Sequence, residues 1–347
     1  MKRVWCVVLA FAMVLSAGGC APKKKEALKV GSMPVAVGVP LQYAYDQGWF
    51  QDAGLDMEIV MFQTGATINE AMAAKELDVS VIGTAAVFAM SNDVVEWIGE
   101  GCIAGGCGIY ARADCDIIKE KGNVPGYPDI LGSKETIKGK KFLVPLGTSA
   151  EYNLIKYLEK FDLKPSDVSI VQMDYGPGLQ ALISGQGDAL AAGPPFTFQA
   201  MDAGAVCIAT HEDATDSNLV DGIVARKDIS KERAADIEKF LEIYYRAADY
   251  LAKDEDTRYD VSMSYYNNNG ISYNDELLRQ EISAKKFMTT DMIKAPDYVF
   301  GKGLLDMAQF YTRDGKVKTE QIPNVIKNMN PDYLGKILGI TIKKAEG

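Results

Sequence analysis

The chain has 347 residues, of which 48% are hydrophobic and 24% charged, so it is long enough to form two lobes around packed cores. It carries 37 Lys and Arg against 47 Asp and Glu, a formal net charge of −10 at pH 7, which argues against nucleic acid as a partner. The single histidine, His211, excludes a multi-histidine metal site and disfavours a histidine-based catalytic triad. We expect no metal and no cofactor.

The first twenty residues have the pattern of an export signal. Lys2 and Arg3 form a basic start, and the apolar run over residues 4–15 is too short to span a bilayer as a mature helix. Small residues then lead to Cys20, which resembles a bacterial lipoprotein signal, in which that cysteine becomes lipidated. We expect a signal peptide over residues 1–20, a lipid on Cys20 and a polar tether over residues 21–27. An ordinary secretory signal cut near the same place is the alternative.

Four cysteines follow the signal, at positions 102, 107, 115 and 207. An even count in an exported chain permits disulfides, so three pairings and four free thiols are the alternatives. The spacing contains no C-x-x-C pair, which argues against a zinc site.

Strands and helices alternate in the first third of the chain. Apolar runs bounded by Gly and Pro predict strands at residues 28–31, 55–62 and 79–83, and helices between them that end near residues 47, 75 and 91. Alternation at this spacing predicts β-α-β units on a largely parallel sheet.

A second set of strands and helices follows. Strands are predicted at residues 141–145, 168–173, 188–192 and 206–210, with helices that end near residues 161, 184 and 203. Short apolar strands at 107–112 and 220–226 are interpreted as chain crossings, and residues 230–339 are mainly helical. We therefore predict an α/β fold with two lobes, each a mainly parallel sheet flanked by helices. Lobe 1 is assigned to residues 28–113 and 222–347, and lobe 2 to residues 114–221.

Three passages between residues 28 and 230 carry a recognisable pattern. The first comprises residues 40–44, 47–50 and 53–56, the second Gly65 with residues 70–72 and 77–83, and the third residues 144–152, 163–171, 181–182 and 187–189. In this order they resemble the substrate-binding proteins of bacterial importers for nitrate, sulfonates, taurine and thiamine-precursor pyrimidines. The resemblance implies a type II periplasmic-binding-protein fold and an extracytoplasmic, lipid-anchored monomer. It also implies a small-molecule ligand and an ABC transporter permease as partner.

Candidate ligand-binding residues lie where strands lead into helices. Ligands of doubly wound sheets bind beyond the carboxyl ends of strands, where helix N-termini present unpaired N–H groups. The predicted binding residues are Pro34, Val35, Gly38, Thr64, Thr84, Ala85, Thr148, Ser149, Asp174, Tyr175, Gly176, Pro195 and Phe196. Capping of a helix is the alternative role for the hydroxyl residues.

The charge of these loops bears on the ligand. They contain no Lys or Arg, so backbone amides and hydroxyls are predicted to hold a sulfonate, a nitrate-like anion or a zwitterion such as taurine. Asp174 ends a predicted strand and would instead suit an amine or a guanidinium group. A cationic or heterocyclic ligand, such as a guanidinium compound or a pyrimidine, is therefore the alternative.

Other functional classes fit less well. Residues 176–181 match the G-x-G-x-x-A form of a dinucleotide-binding turn, but no acidic residue ends a strand about twenty positions later. Pyrimidine-precursor synthases that resemble this family carry a cysteine-rich cluster, which this sequence lacks. A membrane-tethered receptor that serves a sensor would share the features above. We expect a binding protein rather than an enzyme, with no catalytic residues, and an importer rather than a sensor.

Overall fold

The computed structural model describes residues 26–313 and 315–347. The predicted signal peptide, Cys20 and residues 21–25 of the predicted tether lie outside the described residues. Within the described ranges, no helix combines the length and the apolar composition needed to cross a membrane.

Eleven strands occur in the described chain. They are β1 (Leu28–Ser32), β2 (Met57–Met61), β3 (Val79–Ile82), β4 (Val95–Ile103), β5 (Gly108–Ala111), β6 (Lys141–Val144), β7 (Ser169–Gln172), β8 (Ala189–Ala192), β9 (Val206–Thr210), β10 (Val220–Arg226) and β11 (Lys286–Phe287).

Helices connect and cover these strands. They are α1 (Gly38–Asp46), α2 (Trp49–Asp52), α3 (Gly65–Ala73), α4 (Ala86–Ser91), α5 (Lys134–Ile137), α6 (Ser149–Lys160), α7 (Tyr175–Ile183), α8 (Phe196–Asp202), α9 (His211–Thr215), α10 (Lys227–Glu232), α11 (Ala234–Lys253), α12 (Glu255–Asn268), α13 (Asp275–Ala284), α14 (Thr290–Ile293), α15 (Lys302–Phe310), α16 (Ile322–Lys327) and α17 (Asp332–Leu338). Short 3₁₀ helices occur at Asp116–Lys119, Pro165–Asp167 and Thr319–Gln321.

The strands form two sheets. The first has the order β11-β4-β10-β3-β1-β2 and the second the order β7-β6-β8-β5-β9. Each contains three parallel strands, β2-β1-β3 in the first and β7-β6-β8 in the second. Strands β3 and β8 are buried at every residue, as expected where helices cover both faces of a parallel sheet. The predicted α/β fold class with two mainly parallel sheets is confirmed.

Three strands run opposite to the parallel strands of their sheets: β11, at the edge beside β4, and two strands inserted within the sheets. Strand β10 lies antiparallel between β3 and β4, and β5 lies antiparallel between β8 and β9. Residues 104–107 lead from the first sheet to the second, and residues 216–219 lead back. We call these two stretches the crossing segments.

The sheet to which β5 belongs bears on where the boundary between the lobes is drawn. Strand β5 belongs to the second sheet, whereas the sequence prediction assigned residues 28–113 to lobe 1. We therefore propose that the lobes change at the crossing segments, between Ile103 and Gly108 and again just before Val220. The difference arises because a short apolar strand has the same sequence pattern in either sheet.

Strand β4 was not predicted, because two glutamates and two glycines interrupt its apolar pattern. One of these glutamates, Glu100, is buried in the structure. Its carboxylate accepts hydrogen bonds from the Tyr298 hydroxyl at 2.7 Å and from the Gly301 N–H at 2.8 Å. These donors compensate for the burial of the carboxylate, and both are about two hundred residues away in sequence.

Separate apolar cores hold the two sheets. The larger core surrounds the first sheet and includes the fully buried Trp97 and Phe240. Two smaller cores lie against the second sheet; one includes Phe142 and Leu154, and the other includes Leu143 and Leu190. Lobes with separate cores, joined by two short crossing segments, are an arrangement that permits hinge motion.

Substitution of Gly222 tests the insertion of β10. A Cβ atom at this position would overlap the carbonyl oxygen of Gly99 and the indole ring of Trp97. We expect Gly222→Ala to lower the free energy of unfolding by about 1–3 kcal/mol, as overpacking does, measured by urea denaturation. Gly176→Ala is the control, because the nearest atom to its Cβ would be 3.8 Å away. Equal stability of the two variants would contradict the tight fit of β10.

Candidate functional site

Strand order locates a candidate site on each sheet. The order reverses at β1 in the first sheet, where β2 lies on one side and β3 on the other. It reverses at β6 in the second sheet, where β7 lies on one side and β8 on the other. Ligands of open α/β sheets bind at such switch points, beyond the carboxyl ends of the strands. The loops that follow β1, β3, β6 and β8 are therefore the central ones, and those that follow β2 and β7 are peripheral.

Loops of the first sheet meet around Ala85. A Cβ atom on Gly65 would lie 2.6 Å from the Ala85 Cβ, and the Asn69 side-chain amide donates to the Ala85 carbonyl at 2.8 Å. Thr84 is half-buried, and its hydroxyl makes no hydrogen bond to another described residue. Thr64 is exposed and caps α3 through the N–H of Thr67. The structure thus brings Thr84 and Ala85 together with the start of α3.

The loop after β1 is shaped by packing. Pro34 is buried and Val35 half-buried in the turn that precedes α1. A side chain at Gly38 would overlap the Tyr265 hydroxyl, which donates to the Met33 carbonyl at 2.5 Å. The missing side chain of Gly38 therefore makes room for Tyr265 of α12, which is a structural reason for glycine at this predicted binding position.

An aromatic pair forms one wall of the site on the second sheet. The rings of Tyr175 and Phe196 stack with centroids 5.6 Å apart and planes 22° apart. Burial raises the pKa of the Tyr175 hydroxyl to about 12, and hydrogen bonding with Thr148 and Ser149 opposes that rise. Gly176 faces the edge of Phe196. Five of the predicted binding residues are thus neighbours, and we call the Tyr175–Phe196 pair the aromatic wall.

The crossing segments connect the two groups of loops. Cys107 lies against the loop after β8, because a Cβ on Gly193 would be 3.1 Å from its sulfur. The Cys107 thiol also acts electrostatically on Tyr175 and is itself acted on by Asp221. Asp221 in turn lies beside Gly83, with its Oδ1 at 3.0 Å from the position of a Cβ there. Cys107 and Asp221, which lie in and just after the crossing segments, thus contact the loops that follow β8 and β3, respectively.

Asp221 was not among the predicted binding residues, yet it is the acid at the centre of this arrangement. It is half-buried, so part of its side chain remains accessible. Burial raises the pKa of its carboxyl group to about 6, and the positive charge of Lys285 opposes the rise. No described residue donates a hydrogen bond to it. The sequence signal was its position, the second residue of a predicted crossing strand.

Other titratable groups lie near Asp221, but none of them donates a hydrogen bond to its carboxylate. Electrostatic interactions link it to Cys102, Cys107, Tyr244 and Lys285. Burial raises the pKa of both thiols to about 12, so they carry no negative charge near neutral pH.

The start of α6 is already complemented by its own residues. The Thr148 hydroxyl accepts from the Ala150 N–H at 3.2 Å and donates to the Pro145 carbonyl at 2.7 Å. The Glu151 carboxylate accepts from the Gly147 N–H at 2.6 Å and pairs with Lys316 at 3.1 Å. Capping, the alternative role considered for Thr148, is therefore present, and this helix terminus has less capacity for an external anion than the sequence predicted.

Asp174 lies at the periphery of the second site, whereas Pro195 lies next to the aromatic wall. Asp174 is exposed at the start of α7, after the edge strand β7, so it lies at the periphery. Pro195 is half-buried and leads directly into the aromatic wall. The dinucleotide-like residues 176–181 lie within α7 rather than in a phosphate-binding loop.

The cysteines and the histidine are isolated. All four described cysteines are free thiols, so no disulfide closes a ring between Cys102 and Cys107. His211 is buried, and burial lowers the pKa of its imidazole to about 4. In the described ranges, no group of three or more His, Cys, Asp or Glu side chains is arranged to hold a metal ion.

A cavity of about 470 Å³ lies beside the crossing segments. It is bordered by Glu100, Ser217, Val220, Met292 and Lys302, among others. The Glu100 carboxylate there already receives two hydrogen bonds. None of the predicted binding residues borders this cavity.

Comparisons with known proteins agree on one class. A model of the NMT1-like family matches residues 21–263. A putative ABC transporter periplasmic binding protein of Brachyspira hyodysenteriae is 28% identical over 347 residues, 97% of this chain and 99% of the relative. A putative aliphatic sulfonates-binding protein of Bacillus subtilis is 25% identical over 257 residues, 71% of this chain and 73% of the relative.

Solved structures agree on the fold. The periplasmic aliphatic sulphonate binding protein SsuA of Escherichia coli is similar with a TM-score of 0.69 at 15% identity, over 88% of this chain and 97% of that chain. This likeness confirms the predicted two-lobed periplasmic-binding-protein fold.

The raised pKa of Asp221 predicts a pH-dependent stability effect. Its folded-state pKa, about 6, exceeds the ordinary value of 3.8, so ionisation costs stability as pH rises from about 4 to 6. We expect Asp221→Asn to raise the free energy of unfolding at pH 8 by about 1–3 kcal/mol, an advantage that disappears below about pH 4. Thermal unfolding at both pH values measures it, with the exposed Asp202→Asn as control. A variant no more stable than the parent at pH 8 would show that Asp221 is not desolvated.

Proposed function

The chain belongs to the NMT1-like family, and on that basis we propose that it is the solute-binding component of an ABC importer. One relative is a putative ABC transporter periplasmic binding protein, and another is a putative aliphatic sulfonates-binding protein. The observation that carries the proposal is a pair of contacts beside the crossing segments: Asp221 lies against Gly83 after β3, and Cys107 lies against Gly193 after β8. We infer from them that the switch points of the two sheets face one space, which is where a solute is enclosed when two lobes close.

Binding without catalysis is supported by the chemistry of the site. A nucleophilic cysteine needs a lowered pKa, whereas burial raises that of Cys107 to about 12. A general base near neutral pH needs an accessible imidazole or a comparable group, whereas His211 is buried and its pKa is lowered to about 4. These two side chains are thus poorly suited to catalysis.

The solute that we propose is small and polar. The aromatic wall offers apolar surface, while Thr84 and Ser149 offer hydroxyls, a combination typical of small-molecule sites. Sulfonates, nitrate-like anions, zwitterions such as taurine, guanidinium compounds and pyrimidines are the candidate classes. The predicted binding residues remain our assignment for this site, with Asp174 at its edge and Asp221 added at its centre.

Anchoring and delivery complete the proposal. A lipid on Cys20 would hold the protein outside the cytoplasm, and residues 21–27 would give it reach toward the permease of its importer. We propose that the protein acts as a monomer, with each lobe offered to one half of the transporter.

Closure of the lobes is measurable in solution. A thermal-shift screen of sulfonates, nitrate, taurine, guanidinium compounds and pyrimidines selects a binder, and small-angle scattering then compares the free and the saturated protein. We expect a smaller radius of gyration on binding, because the crossing segments permit hinge motion.

Tyr175→Ala, which removes half of the aromatic wall, should weaken both the thermal shift and the contraction. An unchanged radius at saturation would rule out the hinge.

Anchoring is tested by replacing the cysteine. We expect Cys20→Ala to abolish labelling by radioactive palmitate and to move the protein from the membrane to the soluble fraction, because the lipid is the proposed anchor. Cys6→Ala is the matched control, since Cys6 lies within the signal peptide and should leave anchoring intact. Membrane retention of Cys20→Ala would exclude the lipid anchor.

A further inference from the structure

We propose that Asp221 binds a positively charged N–H group of the solute, so that the solute carries an ammonium, amidinium or guanidinium group rather than being a simple anion. This inference rests on the proposed solute-binding function and specifies the chemistry of the same site. It assigns the central recognition to a residue that lies outside the predicted set of binding residues.

The position of Asp221 aims its carboxylate at the loop that follows β3. Its strand, β10, pairs with β4 so that Asp221 lies opposite Cys102, and the register shifts between Asp221 and Gly222. Such irregularities re-aim a side chain. The carboxylate is directed toward Gly83, the first residue after β3, where the absence of a side chain leaves room beside Oδ1. Asp221 is thus presented at the switch point where a solute is expected.

The hydrogen-bonding capacity of Asp221 is unused. Among the described residues no donor reaches its carboxylate. The nearby Lys285 ammonium is held by Glu281 at 3.1 Å, and Glu281 also accepts from the hydroxyls of Tyr266 and Tyr273. Lys285 is therefore committed to another carboxylate. The Asp221 side chain keeps accessible surface and has no hydrogen-bond donor among the described residues, so its carboxylate needs a donor, either water or a group supplied from outside.

Closure of the lobes strengthens this requirement. When the cleft closes, water leaves, and an ionised carboxylate without a partner would bear the full cost of desolvation. A charged N–H donor compensates for that cost best, because charge-assisted hydrogen bonds are the strong ones. A simple anion would instead be brought next to a like charge.

The rest of the site fits the same chemistry. The faces of Tyr175 and Phe196 are suited to a cation, which aromatic rings attract through their electron-rich faces. The start of α6, the place predicted to hold an anion, is already complemented by Glu151. The second lobe therefore adds little affinity for an isolated negative charge, although the acidic part of a zwitterion could still meet the Ser149 hydroxyl.

Pairs of solutes that differ in one group provide the test. Titration calorimetry on the full protein, purified free of bound solute, compares taurine with isethionate and agmatine with 4-guanidinobutyrate, and includes nitrate and 4-aminopyrimidine. In isethionate, a hydroxyl replaces the ammonium group of taurine. We expect at least one cationic compound to bind at least ten-fold more tightly than isethionate and nitrate. Asp221→Asn should reduce its affinity at least ten-fold and leave the binding of isethionate and nitrate unchanged or stronger.

Controls separate recognition from folding. Asp202→Asn makes the same chemical change on an exposed residue of α8 and should bind like the parent. Should Asp221→Asn fail to fold, Gly83→Ala replaces it, because its methyl group would press on Oδ1 and should weaken cation binding.

The outcomes distinguish this inference from the proposed function. Tighter binding of nitrate, isethionate or neutral 4-aminopyrimidine than of every cationic compound overturns the inference but supports solute capture. Unchanged cation affinity in Asp221→Asn overturns the inference as well. If no compound binds, the inference fails. The proposed function fails as well only if a dialysed small-molecule extract of cells also leaves the radius of gyration unchanged.

Discussion

The insertion of β10 between β3 and β4 is the constraint on which the rest of the structure depends. Its antiparallel pairing with both neighbours fixes where the chain returns to the first sheet. Backbone pairing also determines the direction in which Asp221 points, because side chains alternate across a strand and the register shifts beside this residue. The position of the central carboxylate is therefore a consequence of sheet topology, and the close fit of Gly222 against Gly99 and Trp97 holds it there.

The two lobes also meet away from the crossing segments. Tyr152 of α6 packs against Phe310 of α15, with ring centroids 4.7 Å apart. The Tyr311 hydroxyl donates to the Gly147 carbonyl at 3.1 Å, beside the ion pair of Glu151 with Lys316. An ion pair with a partly exposed lysine contributes little by itself, so the aromatic contact is the stronger constraint. One edge of the space between the lobes is thus bounded by α6 and the chain that follows α15.

Three acids, Glu281, Glu100 and Asp221, differ in whether other residues of the chain compensate their charge. Glu281 receives Lys285 and two tyrosine hydroxyls, and Glu100 receives a tyrosine hydroxyl and a backbone N–H. Both acids are compensated within the chain, so they contribute to the fold. Asp221 receives no hydrogen bond from a described residue, and this difference from Glu281 and Glu100 is what we expect of a group kept for an external partner.

By itself the sequence determined the strands and helices around both switch points, because hydrophobic periodicity and Gly and Pro punctuation act over short stretches of chain. It also indicated the loops that carry Thr84, Ser149, Tyr175 and Phe196. Only the tertiary structure decided that β5 pairs in the second sheet, that Glu100 can be buried in β4, and that Asp221 rather than Asp174 is the enclosed acid. These outcomes depend on contacts between residues far apart in the chain, and the environment of a carboxylate is set by those contacts rather than by its neighbours in sequence.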